Sequence, residues 1–591
     1  MRREFEVEIN ECDVAIEDLT KNHKILGNVK LAVIALIIAI IAFAVVKGLS
    51  FMVGLSLLTT VEIYVLLAVI HWKLEKLLNE KIIKRRICSD YLARMDGNWD
   101  SFSDKGDEYI DRNHSYSFDL DIFGEHSLFQ YLNTAKSYYG REQFVKDLTN
   151  PQYDLEKIKK RQEAVWELSA NKNFTVDLQF YGELTKLQGD AQVLIDLLKG
   201  DKKEIAKPFT QYLLYLPIFS TVFMLAVFLM EVSVLYIPAV VLFAVHVLLW
   251  LYCFLKLSGD LNKITGAGYK IGEFAQVFDL IERKTFDCDE LREIKSKIVS
   301  GDIKVSTAIT ELNHVIMKID IRRNGLLFFL LNLFCMWDYS CLYSLKKWRG
   351  KYQDHVEGWF DALGRLESIL SLTNLSFVEE NSCMPDITEE MAITGENVGH
   401  PLVNTSVRVN NDIRQDNEIF IISGSNMSGK TTFLRTIGLN MVLGLAGGFC
   451  CGEKLTLPKV DIVTSMRNFD NLAAGVSTFY AELERVKEII EACKDGRAIF
   501  LIDEIFRGTN SKDRLEGAAS VLKNLEEKGA IGLITTHDLE LCNIADKGRI
   551  VNYSFNEKYE NNEIIFDYRL TKGRSNTTNA KFLMNKLGII E

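Results

Sequence analysis

Proline is scarce in this chain, with seven in 591 residues, and its near absence leaves room for long uninterrupted helices. Cysteine occurs eleven times, but no C-x-x-C is present and Cys450 and Cys451 are adjacent. That spacing excludes a disulfide scaffold and fits reduced thiols in a reducing compartment. An excess of positive charge is also missing. Lys and Arg number 69 against 80 Asp and Glu, for a net charge of −11. The total therefore offers no electrostatic attraction to DNA. One basic cluster, Lys157, Lys159, Lys160 and Arg161, reads as a solvated helix face. There is no internal repeat and no low-complexity tract.

Hydrophobic residues make up 48% of the chain although 25% is charged, so the apolar excess must be concentrated in segments. One short segment carries chemistry. Gly424, Ser425, Asn426, Met427, Ser428, Gly429, Lys430 and Thr431 fit G-x-x-x-x-G-K-[ST]. The apolar run Glu418–Ser423 reads as a buried strand entering this loop, and Thr431–Leu445 as a helix leaving it. In that context the glycines let backbone N–H groups turn toward a β-phosphate, and the helix N-terminus adds partial positive charge. Lys430 is expected to reach the β/γ oxygens and the Thr431 hydroxyl to ligate Mg²⁺. The expected ligands are ATP and Mg²⁺.

A second apolar run, Ala498–Ile502, ends in Asp503 and Glu504. A central parallel strand is buried on both faces and carries its carboxylates at the C-terminal end. Asp503 is expected in the Mg²⁺ shell, with Glu504 orienting or deprotonating the attacking water. The run Ile531–Thr536 ends at His537, a candidate γ-phosphate sensor.

These residues resemble the MutS family. Gly424 to Thr432, with Asn426-Met427 inside, is similar to its phosphate loop, and Asp470 to Leu483 to its signature segment. Asp503 to Asp513 resembles its Walker B and D-loop run, and Thr536-His537 its histidine loop. Gly399-His400-Pro401-Leu402-Val403 resembles the opening of its ATPase domain, and Phe566–Leu570 a segment near its end. Ser425, Ser428 and Phe506 depart from the family's usual Pro, Gly and Gly. The resemblance implies ATPases related to ABC proteins that pair through composite sites. Ser477 would then begin a helix facing the γ-phosphate held by a second copy; it also reads as a simple N-cap. Fainter resemblance covers Phe123–Pro151, Ile158–Leu168 and Trp359–Leu372. The family's mismatch-reading domain and clamp have no counterpart.

Membrane-like segments stand there instead. Leu31–Val46 is unbroken hydrophobe between Lys30 and Lys47, and Phe51–Trp72 follows after a tight connection. Tyr212–Met230 and Val232–Leu255 form a second pair joined at Glu231. Each is near spanning length once lysines snorkel. Lys73, Lys76, Lys81, Lys84, Arg85 and Arg86 follow the first pair, and Lys207 and Lys256 flank the second. The positive-inside rule puts these flanks and the ATPase in the cytoplasm. Glu62 lies inside a span, where a carboxylate is a functional hypothesis or simply faces a partner helix. A further run, Leu326–Leu345, contains Asn332, Asp338 and Ser340 and reads as a packed helix.

The expected fold is multidomain: an α/β P-loop (ABC-like) ATPase domain, all-α core and lever helices, and two transmembrane helical hairpins. Residues 1–26 form a cytosolic lead-in, 27–72 the first hairpin, 73–120 a connector and 121–206 a helical core. Residues 208–256 form the second hairpin, 257–384 the levers and 385–591 the ATPase. Three functions compete: a membrane-anchored ATPase homodimer driving levers and membrane helices, a membrane-tethered DNA-repair factor, and an ABC-like transporter. No small-molecule substrate other than ATP is indicated.

Overall fold

The computed structural model describes residues 1–48, 50–185, 215–264, 268–301, 303–467, 478–506, 510–545, 548–560 and 563–575. The start of the expected second hairpin, Ser477 with most of the signature segment, and Arg507–Thr509 lie outside them. The chain divides into two compact units: residues 1–103 with 377–380, and residues 104–376 with 381–591.

The first unit is a helical hairpin of α1 (Arg2–Lys47) and α2 (Phe51–Asp96). The expected boundaries after residues 26 and 72 fall inside these helices. Hydropathy changes there, but the Glu-, Lys- and Leu-rich flanks are good helix formers and carry the backbone straight through. Ser50 caps α2 by accepting from the Val53 N–H, and Gly97 closes it in the left-handed conformation. The polar halves are tied by ion pairs, Arg2 with Asp96 and Arg85 with Asp13. Phe5 stacks on Tyr91 at 4.7 Å. The apolar halves leave Leu31, Ile38, Phe43, Phe51 and Leu58 exposed.

The second unit joins a helical part to an α/β part. Its apolar helices are α3 (Leu216–Leu229) and α4 (Tyr236–Ile264), packed side by side. By length and composition, three stretches among the described residues are suited to crossing a membrane: α1, α2 and Ser233–Tyr252. The described part of the remaining hairpin leg, α3, has 14 residues and falls short of that length. Next come α5 (Val305–Asp320), α6 (Gly325–Cys335) and the 42-residue α7 (Trp337–Val378). The run expected as one packed helix over Leu326–Leu345 is therefore broken. Met336 adopts φ 46°, and α6 and α7 meet at 79°. Most of α6 is exposed rather than packed.

The helical core is pinned to α7 by Glu367. Its buried carboxylate accepts from the Lys136 N–H, the Ser137 N–H and the Ser137 hydroxyl, where the helix Tyr138–Thr149 begins. Burial holds its pKa above the ordinary carboxylate value, against the pull of those donors.

The α/β part is built on six strands: β1 (Ile419–Ser423), β2 (Asp461–Ser465), β3 (Ala498–Asp503), β4 (Ile531–Thr536), β5 (Ile550–Glu560) and β6 (Glu563–Lys572). Their order is β2-β3-β4-β1-β5-β6, with all pairings parallel except the last. Every residue of β1, β3 and β4 is buried, as expected for central parallel strands covered on both faces. Helices α8 (Lys430–Leu445), α9 (Thr478–Ala492) and α10 (Ser511–Glu527) belong to this layer. A separate four-stranded sheet carries Asn411–Asp416 at one edge. The connector reaches into this layer through Asp119, which accepts from the Thr464 hydroxyl and from the Met466 and Arg467 N–H groups at the end of β2.

Candidate functional site

The site forms where parallel strands end, the usual place for ligands in such sheets. β4 lies between β1 and β3, with Asp503 level with Thr535 and Thr536 level with Ser423. The loop after β1, the carboxylates after β3 and the histidine after β4 are thereby brought to one edge.

The loop from Gly424 to Gly429 needs its two glycines. Gly424 has φ 156° and a Cβ there would lie 2.8 Å from the Phe555 carbonyl oxygen; Gly429 has φ 101° and presses on the Tyr568 ring. Both positions let the backbone approach where a side chain has no room. Met427, also left-handed, points its side chain outward. Lys430 opens α8 and folds back into the loop, where its ammonium donates to the carbonyls of Gly424 at 2.8 Å and Ser425 at 2.7 Å. The Ser425 hydroxyl turns away and donates to Glu557, a buried carboxylate on β5.

One turn along the sheet edge, the Thr431 hydroxyl donates to Asp503 at 2.9 Å, and the other Asp503 oxygen accepts from Thr535 at 2.5 Å. Glu504 sits in the left-handed region at φ 59°, which swings its carboxylate off the strand direction. His537 Nδ1 lies 3.2 Å from that carboxylate.

A cleft of about 830 Å³ runs over the loop, lined by Asn426 to Thr432, Asp503 and Glu504 together with His400, Arg408 and Tyr568. Gly424 and Ser425 do not line it. Glu504 also lines a smaller neighbouring pocket, about 200 Å³, which it shares with His537 and Arg514. His537 thus touches the cleft only through Glu504. Burial, helped by Arg435 and Arg408, pushes the His400 imidazole down to about 3, so it is neutral at ordinary pH.

No group of three or more His, Cys, Asp or Glu able to hold a metal occurs among the described residues. Thr431 and Asp503 alone suit Mg²⁺, which typically takes one or two carboxylates and completes its shell with water and substrate phosphates.

Residues 420–581 match the family described as MutS domain V. Relatives named "DNA mismatch repair protein MutS" include that of Methanococcoides burtonii, 31% identical over 36% of this chain and 25% of its own length. That of Thermotoga neapolitana is 33% identical over 37% of this chain and 28% of its own. That of Aquifex pyrophilus is 31% identical over 54% of this chain and 35% of its own. Residues 420–581 are therefore a region of MutS domain V type. The matched region spans only a quarter to about a third of these relatives' lengths.

Within the MutS domain V match lie the loop, Asp503, Glu504 and His537, and also Ser477, outside the described residues. His400 and Arg408, which also line the cleft, lie upstream of it. Sequence reasoning noted His400 only as part of a domain opening and passed over Arg408 and Glu557. Glu557 carries no motif; it follows a register shift in the β5–β6 pairing and accepts from the Ser425 hydroxyl.

Proposed function

We propose that this chain is a membrane-anchored P-loop ATPase of MutS type that pairs with a second copy when loaded with ATP and Mg²⁺ and couples hydrolysis to motion of its lever and membrane helices. The observation that carries this reading is the meeting of Thr431, Asp503 and Glu504 at the mouth of the loop that holds Lys430. Lys430 exchanges its two loop carbonyls for phosphate oxygens, a trade of neutral acceptors for charged ones. Thr431 and Asp503 hold Mg²⁺, which neutralises developing phosphate charge when bound. Glu504 takes the proton of the attacking water, and His537 orients Glu504 through their 3.2 Å contact. Ser477 of a second copy completes the site, so that closure and turnover depend on pairing.

Membrane anchoring is supported by α1, α2 and Ser233–Tyr252, each long and apolar enough to cross, and by basic residues after the first pair, which favour a cytoplasmic ATPase. In nanodiscs with ATP and Mg²⁺, Glu504→Gln retains nucleotide, accumulates as a dimer and loses turnover by about 10²-fold or more. Normal hydrolysis by this variant removes the catalytic assignment. Ser477→Arg abolishes turnover while nucleotide binding to single chains persists; equal activity removes the shared site.

A second reading, a membrane-tethered DNA-binding repair factor, rests on the names of the relatives. The net charge of −11 weighs against it. A salt-dependent shift of labelled duplex or branched DNA by detergent-solubilised protein favours it, and no shift at low salt excludes it.

A further inference from the structure

We infer that α6 is a third membrane element of the second unit, an 11-residue helix that dips into the apolar layer beside α3 and α4 and leaves on the side it entered. This rests on the membrane reading of the second apolar pair. Four observations carry it. First, α6 is the wrong kind of surface for water: Leu326 is 74% and Phe329 50% exposed, and Leu327, Leu330 and Phe334 are exposed with them. A contiguous apolar patch of this kind marks an interaction surface rather than scattered exposure. Second, that patch continues the one on the neighbouring span. α6 packs against α3 and α4, and Phe329 meets Trp250 of α4 edge-on at 6.1 Å. Whatever solvent surrounds the Ser233–Tyr252 span therefore surrounds α6.

Third, the polar groups at the break are closed upon one another. The Arg322 guanidinium donates to Asp338 at 2.6 Å, the Asn332 side-chain amide donates to the other Asp338 oxygen at 3.0 Å, and the Asp338 N–H donates to the Asn332 oxygen at 3.0 Å. Asn332 and Asp338 are buried, and Arg322 also lies over the Phe328 ring. Irregular backbone at membrane depth is tolerated only where its polar groups are satisfied by protein, and this cluster meets that condition.

Fourth, the two ends of the excursion are tied together. The Trp337 indole donates to the Lys318 carbonyl at 2.8 Å, beside the Arg322–Asp338 pair. A helix of 11 residues is about 16 Å long, half an apolar layer of about 30 Å, so with its ends joined it does not cross. Lys318 and Arg323 before it and Lys347 after it are exposed cations suited to one headgroup layer. Entry and exit on one side also keep the ATPase on the side of the basic flanks.

The test uses the full chain in phosphatidylethanolamine–phosphatidylglycerol liposomes, with a benzophenone amino acid at Leu326, at the exposed Leu248 of α4, or at Tyr153 as an aqueous control. Expected are lipid adducts by mass spectrometry at 326 and 248 in comparable yield, and none at 153. Adducts at 248 with none at 326, or a crosslink from 326 to a second chain, overturn the insertion of α6 while leaving the membrane reading intact. No adduct at 248 removes the membrane reading of the second pair itself. A membrane-impermeant amine ester added from the ATPase side is expected to label both Lys318 and Lys347. Labelling of only one shows a crossing helix and overturns the same-side topology.

Discussion

At the scale of single residues, the site is set by conformations that most side chains avoid. Glu504 and Met427 adopt the left-handed region without being glycine, a strain of order 1–3 kcal/mol each that such sites tend to hold. The Ser425–Glu557 bond fastens the loop from below. Ser425→Ala removes one hydrogen bond to a charged group and is expected to lower stability by about 1.5–3 kcal/mol, read by thermal unfolding in detergent. His400 offers a pH-dependent readout. Its folded pKa, about 3, lies below the unfolded value of about 6.5, so the unfolded chain takes up the proton first. The stability this neutral imidazole contributes is present above about pH 6.5 and declines as pH falls toward 3. His400→Asn is expected to flatten that slope when midpoints are compared across the interval.

At the scale of elements, the strands and the loop were legible because they obey one rule each. Ile419–Ser423 and Ala498–Asp503 are continuous apolar runs because both faces of a central strand are covered, and the glycine spacing marks where backbone meets phosphate. What was illegible depended on partners distant in sequence. Glu557 meets Ser425 across 132 positions of sequence. Asn332 and Asp338 are polar residues inside an apolar run that reads as a packed helix; in the structure they satisfy each other and Arg322, leaving the apolar remainder of α6 exposed. The long helix α7 depends on a similar internal closure. Glu367→Ala leaves the buried Ser137 and Lys136 donors short of an acceptor and is expected to cost on the order of 3 kcal/mol. Gly140→Ala is expected to strain the same place, since its Cβ would fall 2.2 Å from the Glu367 carboxylate. Thermal midpoints of the two variants and of the pair check whether they act on one contact, because mutations sharing a contact do not add.

At the scale of the whole molecule, the proposal joins a nucleotide site shared by two copies to helices that live in lipid. The expected behaviour is concerted. The chain requires detergent or lipid to stay monodisperse, and size-exclusion chromatography with multi-angle scattering shows a dimer with ATP in Glu504→Gln. A protein that remains in the aqueous fraction unaided, or one that does not pair when loaded, contradicts the proposal at this scale. Composition alone foreshadowed part of this. Seven prolines permit helices of 42 and 46 residues, but where each changes solvent along its length is written only in hydropathy.

The continuous helices α1 and α2 carry a mechanical consequence. Each has 46 residues, so each is a rod of about 69 Å, whereas the oily layer is about 30 Å thick. Under the proposed membrane anchoring, more than half of the rod stands clear of the lipid, stiffened by ion pairs at its polar end. A sideways push there would become a tilt of the immersed end, scaled by the two arm lengths, as an oar turns about its rowlock.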